Sequence, residues 1–133
     1  MKLFHTAKDG GPDSNVTGYW LIEWKRGFSI ALLRFGPGTR DAYHEHAFDS
    51  VSWLLKGGLR ERIRYGFDRG VFSDIHHKPS WKPIVTQREV LHKVFGLHKA
   101  NWVLTFRGPW VDTWRELRRN GRFVTLTHGR KVV

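Results

Sequence analysis

Apolar side chains recur at every second position in short segments of this chain, a period that suits a half-buried strand and not a helix. Trp20, Ile22 and Trp24 alternate with Leu21 and Glu23, and FSIALLRF follows directly after Arg26 and Gly27. DSVSWLLKGG, LRERIRYGF, REVLHKVFGL, NWVLTFRGPW and RFVTLTHG continue the series. Turn residues separate them: GPG at 36–38, the glycine pair at 57–58, and Asn120-Gly121, a hairpin signal. Residues 66–83, rich in Gly, Asp, His, Lys and Pro, read as a longer loop, and VDTWRELRR at 111–119 is the one helical candidate. The chain has 133 residues and no repeat, low-complexity tract or domain-sized linker, so one domain spanning 1–133 is expected. Its fold class is all-β, an antiparallel sandwich or barrel.

The sequence has no cysteine, which excludes disulfides, thiolate ligands and a cysteine nucleophile and suits a reducing cytoplasm. MKLFHTAKDGGPDSN has no apolar core of signal-peptide length, and no stretch approaches a membrane span. A soluble, cytoplasmic protein without membrane partners is the expectation. The net charge of +11 attracts nucleic acid, acidic headgroups or anionic substrates. The basic residues are dispersed, however: Arg60, Arg62, Arg64 and Arg69 form one group, and Arg115, Arg118, Arg119 and Arg122 another. On a strand, Arg60, Arg62 and Arg64 share one face opposite Leu59, Glu61, Ile63 and Tyr65, which reads as a solvated ridge. Nucleic-acid binding, where it occurs, is expected to be weak and non-specific.

Residues 41–58, DAYHEHAFDSVSWLLKGG, carry the chemistry. On a strand His44 and His46 project side by side and Glu45 points away. Two imidazoles on one face hold a first-row divalent ion when a further ligand comes from another strand. His92, which shares parity with Val90 and Val94, is the candidate third ligand. Asp49 shares parity with Val51, Trp53 and Leu55, the more consistently apolar face, so it is favoured over Glu45 as the inward acid. A fourth ligand and a turn-capping aspartate are both open for it.

These residues resemble the first cupin motif, in which a glycine, an H-x-H pair, a glutamate and a second glycine stand at fixed spacing. Gly38, His44, His46 and Gly57 fall in register, Ser50 stands at the glutamate position with Asp49 beside it, and His92 matches the histidine of the second motif. The chain resembles small uncharacterised cupin-like proteins of bacteria and phages more closely than it does the general motif. HEHAFDS, KGGLRER, VLHKVF, NWVLTFRGP and GRFV follow their order across residues 35–126. The resemblance implies an antiparallel jelly-roll barrel enclosing one divalent transition metal (Fe, Mn, Ni, Zn or Co) and fixes no reaction.

No nucleophile elbow, P-loop or dinucleotide fingerprint is present, and H-E-H is not the H-x-D pattern of a facial triad. Three functions are therefore carried forward. In order of preference they are a metal-dependent cupin enzyme of dioxygenase or isomerase type acting on a small anionic molecule, a cupin that binds metal or ligand without turnover, and a basic nucleic-acid-associated protein with structural histidines. Tyr43, Arg34 and Arg107 are candidates for orienting an anionic ligand, and Trp53 for lining its pocket. Trp53, Phe95, Trp102, Phe106 and Trp110 otherwise read as core filling. Trp20 and Trp24 look exposed on an N-terminal strand, which leads to the expectation of a homodimer.

Overall fold

The computed structural model describes residues 1–39, 43–65, 71–118 and 120–133. Arg69 and Arg119 of the two basic groups lie outside the described residues. The strands are β1 (Lys2–Lys8), β2 (Val16–Glu23), β3 (Ser29–Phe35), β4 (Tyr43–His44), β5 (Ser50–Lys56), β6 (Leu59–Tyr65) and β7 (Val71–His77). They continue with β8 (Ile84–Thr86), β9 (His92–Gly96), β10 (Asn101–Arg107), β11 (Trp114–Leu117), β12 (Phe123–Thr127) and, after one 3₁₀ turn, β13 (Lys131–Val132). Two antiparallel sheets result, ordered β1-β2-β3-β10-β5-β8 and β13-β12-β11-β4-β9-β6-β7. Together they form a jelly-roll sandwich, the all-β architecture that the alternation predicts.

The inward face of the first sheet is set by the two-residue period. Ala31 and Leu33 of β3 and Val103 and Thr105 of β10 are buried, and Val16, Trp20, Leu54 and Leu59 complete the main core. A second cluster, of Ala47, Phe48, Trp114 and Leu126, fills the other end. Trp20 is 5 % exposed, so the sequence's reading of it as a surface aromatic is corrected; Trp24 is 43 % exposed as read. The Trp20 ring folds back over Gly18, where a Cβ would come within 2.1 Å of it, and only glycine leaves that space.

Three further expectations are corrected. VDTWRELRR forms no helix in its described part: residues 114–117 are β11, paired with β12 through the Asn120-Gly121 hairpin and with β4 on the other side. Pairing on both edges overrides the local helix preference of Arg, Glu and Leu. The segment 66–83 contains β7, whose partner β6 supplies the ladder that its composition did not advertise. In β5 the faces are exchanged relative to the reading: Leu54 is buried, whereas Leu55 is 51 % exposed. Trp53 packs edge-on against the exposed Phe106 and donates its Nε1–H to the Trp81 carbonyl at 3.2 Å, so it faces away from the core.

Asn101, fully buried, joins the two sheets at one end. Its Oδ1 accepts the Gly58 and His98 N–H groups at 2.9 and 3.2 Å, and its Nδ2 donates to the Phe35 and His98 carbonyls at 3.1 and 3.0 Å. Gly57 (φ 93°) makes the adjoining turn, where a Cβ would lie 2.5 Å from Asn101 Oδ1. Replacing Asn101 by Ala leaves four backbone groups without these partners and is expected to lower stability by about 3 kcal/mol. Urea unfolding of the two proteins measures the difference.

Candidate metal centre

β4 and β9 are neighbours, and His44 lies directly opposite His92 in their register. His46 follows in extended chain held by two backbone bonds, Glu45 N–H to the Arg115 carbonyl (2.9 Å) and His46 N–H to the Arg88 carbonyl (3.0 Å). The three rings form a near-regular triangle, with centroids 5.0, 5.0 and 4.8 Å apart. One nitrogen from each lies within 4.8 Å of the others. Glu45 is largely buried rather than turned out to solvent, and its carboxylate is bound by Arg115 at 2.6 Å. The three histidines of the sequence reading are thus brought together.

The acid beside them is not Asp49. Asp49 is exposed, and its Oδ1 accepts the N–H of the distant Arg88 at 2.7 Å, so it holds another segment and does not cap its own turn. Ser50, at the position of the family's glutamate, faces the interior with Ser52. The buried carboxylate belongs to Glu61 on β6, 6 % exposed, which accepts hydrogen bonds from His92 Nδ1 and, at 3.0 Å, from His77 Nε2. Burial by itself would raise its pKa. The bonds from His77 and His92 and the charges of those rings outweigh burial and hold it at about 2. The sequence did carry a signal for Glu61, since it shares parity with Leu59 and Ile63 opposite three arginines.

With Nδ1 committed to Glu61, His92 offers Nε2, which is buried and has no hydrogen-bond partner among the described residues. A carboxylate behind a ligating imidazole fixes the tautomer and raises the basicity of the ligand nitrogen. Three neutral nitrogens converging from two strands and a loop therefore fit a divalent transition metal. His44, His46 and His92 would hold it.

That interior is a cavity of about 710 Å³ between the sheets, with the three histidines, Glu61 and His77 on its wall. Of the residues proposed from sequence to bind an anion, Arg107 lines it; Arg34 is exposed, and neither Arg34, Tyr43 nor Trp53 reaches the cavity wall. Tyr43 stands instead under Lys93, whose Nζ is 4.6 Å from its ring. Arg107 is 5 % exposed and bound in a fork by Asp9, at 3.2 and 2.6 Å. Its guanidinium also lies 4.5 Å from the centroid of Phe48, whose ring is 5.4 Å from that of His46. One aromatic ring therefore separates the histidines from the guanidinium. Three buried donors on this wall, Arg107 Nε, Trp20 Nε1 and Trp110 Nε1, have no acceptor among the described residues.

No protein-family model matches the sequence, and no curated protein does. Solved structures match by shape. A cupin-2 domain from Rhodospirillum rubrum aligns at TM-score 0.60 over 83 % of this chain and 72 % of its own, with 13 % identity. The chain has the cupin fold. A sugar phosphate isomerase of the cupin superfamily from Silicibacter pomeroyi aligns at 0.65 over 100 % and 92 %, with 14 % identity. An oxalate oxidase aligns at 0.54 with 25 % identity, over 81 % of this chain and 58 % of that one. The cupin motif residues now have physical roles here. Gly38 (φ 78°) bridges to Gly96 with its N–H and carbonyl, and Gly57 turns the chain against Asn101.

Two outcomes follow for Glu61→Gln. Affinity for a divalent metal is expected to fall roughly 10- to 100-fold, as when other such supporting carboxylates are removed, measured by competition with a chromophoric chelator. In metal-free protein the depressed Glu61 pKa stabilises the fold above the ordinary value of 4.5, and that contribution is lost as pH falls toward about 2. Acid unfolding of Glu61→Gln is therefore expected to depend less on pH in that window, as followed by tryptophan fluorescence.

Proposed function

We propose that this cupin is a metal-dependent enzyme acting on a small anionic substrate, of dioxygenase or isomerase type. The observation that carries the reading is the convergence of His44, His46 and His92 on a cavity of about 710 Å³, with Glu61 behind His92. A structural ion needs a closed donor shell, whereas three protein ligands at a cavity leave room for substrate. The metal would supply Lewis acidity or a site for dioxygen, and the protein residues would do the rest. Three neutral imidazoles with one carboxylate behind them leave part of the ion's double charge uncompensated, which favours an anion as the next ligand. Arg107 Nε–H and the indole N–H groups of Trp20 and Trp110 can donate but not accept, and acceptor oxygens suit them. Phe48 and Trp110, with ring centroids 5.4 Å apart, add an apolar stretch to the cavity wall.

Neighbours of the same fold support this substrate class, for oxalate and sugar phosphates are both anions. The same comparison leaves oxidation and isomerisation side by side. The cytoplasmic setting and homodimer expected from sequence stand with this proposal.

Protein purified without chelator is expected to contain close to one equivalent of a first-row divalent metal by elemental analysis. His46→Ala and His92→Ala should each lose most of it, and His76→Ala, on the outer face of β7, should retain it. At about 100 times its dissociation constant the metal should stabilise the fold by about 2.7 kcal/mol, read as a rise in Tm. Metal-loaded protein given oxalate, glycolate or sugar phosphates under air should consume oxygen or form an isomer, and His46→Ala should not. Stoichiometric metal with no turnover of any of these anions would favour the ligand-binding reading.

A further inference from the structure

The outer faces of the two sheets differ. On the first sheet it is largely apolar, with Leu21, Trp24 and Phe106 exposed. On the second, β6 turns Arg60, Arg62 and Arg64 outward while Glu61 faces in. The register places Lys93 of β9 directly opposite Arg62, and Phe95 opposite Arg60; on the other side Phe72 of β7 lies opposite Arg64. Four cations thus occupy one sheet face across adjacent strands. The one acid among these facing positions, Asp74, is forked by Arg62 at 2.9 and 3.2 Å.

Like charges directly opposite one another destabilise a sheet, so this arrangement is unfavourable for the isolated fold. It is partly relieved by rings: the Arg60 guanidinium lies 4.2 Å from the centroid of Phe95, Lys93 Nζ 4.6 Å from that of Tyr43, and Arg62 5.6 Å from that of Phe72. Phe72 nevertheless remains 50 % exposed, in contact with Tyr43 at 5.9 Å between centroids. Cations at strand spacing, interleaved with flat rings on an open sheet, match the two demands of an unpaired nucleic-acid strand, charge for phosphates and a π-face for bases. Among the described residues, no element of this face projects as a helix or ribbon that would enter a duplex groove.

We infer that the outer face of β6, β7 and β9 is a binding surface for single-stranded nucleic acid, with Arg60, Arg62, Arg64 and Lys93 contacting phosphates and Phe72 stacking on a base. The surface lies on the opposite side of the sheet from the histidine cluster and is independent of metal. Binding is tolerant of sequence, since phosphate contacts carry no sequence information and every base has a π-face.

The test is fluorescence anisotropy of the full chain with a labelled mixed-sequence strand of roughly 16 nucleotides, with the matching duplex and phosphatidylserine vesicles as competitors. Affinity for the strand should fall with salt at a log–log slope of about −2 to −3, as three to four phosphate contacts require. Gln at Arg60, Arg62, Arg64 and Lys93 together should flatten that slope. Gln at Arg26, Lys56, Lys99 and Lys131 removes the same charge elsewhere and should largely preserve it. Phe72→Ala should weaken binding about tenfold without changing the slope, and Asp74→Asn should tighten it by freeing Arg62. Equal losses from the two quadruple variants, preference for the duplex or the vesicles, or no binding at low salt would each overturn the inference.

Discussion

Asn101 fixes how the two sheets meet. Its amide sits where the end of β3, the β5–β6 turn and the β9–β10 turn converge, and all four of its bonds go to their backbones. The glycines around it follow from the lack of space. A Cβ on Gly96 would fall 2.0 Å from the Gly36 carbonyl oxygen, and one on Gly57 would meet Asn101 itself. With that end closed, β9 is held in one register against β6 and β4, and His92 is brought opposite both Ile63 and His44. The geometry of the histidine triangle thus depends on a polar knot that contains none of its members. Such a knot is sensitive: fully satisfied it rigidifies, and partly satisfied it exposes every group it served.

Charge is sorted between inside and outside. The buried ionisable groups are matched: Asp9 with Arg107, Glu116 with Arg130, and Glu61 with two imidazoles. Breaking any one of these would strand a charge at low dielectric, which costs far more than a surface pair contributes. The excess behind the net charge of +11 is therefore carried outward, most densely on β6 and β9. Donors and matched pairs lie on the cavity wall among apolar side chains, and a cationic aromatic face lies on the outer side of the second sheet.

Much of the site was legible in the chain because a strand has a period of two. His44 and His46 share a face by that rule, and His92 lies among valines by the same rule. Parity does not say which face is inward when both are apolar. In β5, Val51, Trp53 and Leu55 outscore Ser50, Ser52 and Leu54 in hydrophobicity, yet the serines face the cavity and Ser52 Oγ donates to the buried Thr105 Oγ1 at 2.9 Å. Trp53 finds its cover in Phe106 and the segment at Trp81, contacts made by residues far away in sequence. The same exchange moved the acid from Asp49 to Glu61.

Alternation, turn residues and the spacing of three histidines determined by themselves that the chain is an all-β sandwich with imidazoles gathered on one interior face, because strand geometry is local. Which carboxylate supports them, which arginine reaches the cavity, and whether residues 114–117 pair as a strand were decided only when the sheets closed. Those outcomes depend on partners tens of residues distant, such as Asp9 for Arg107 and β4 for β11. The energy of a buried charge or an edge pairing resides in the partner that tertiary structure brings, and no local pattern names that partner.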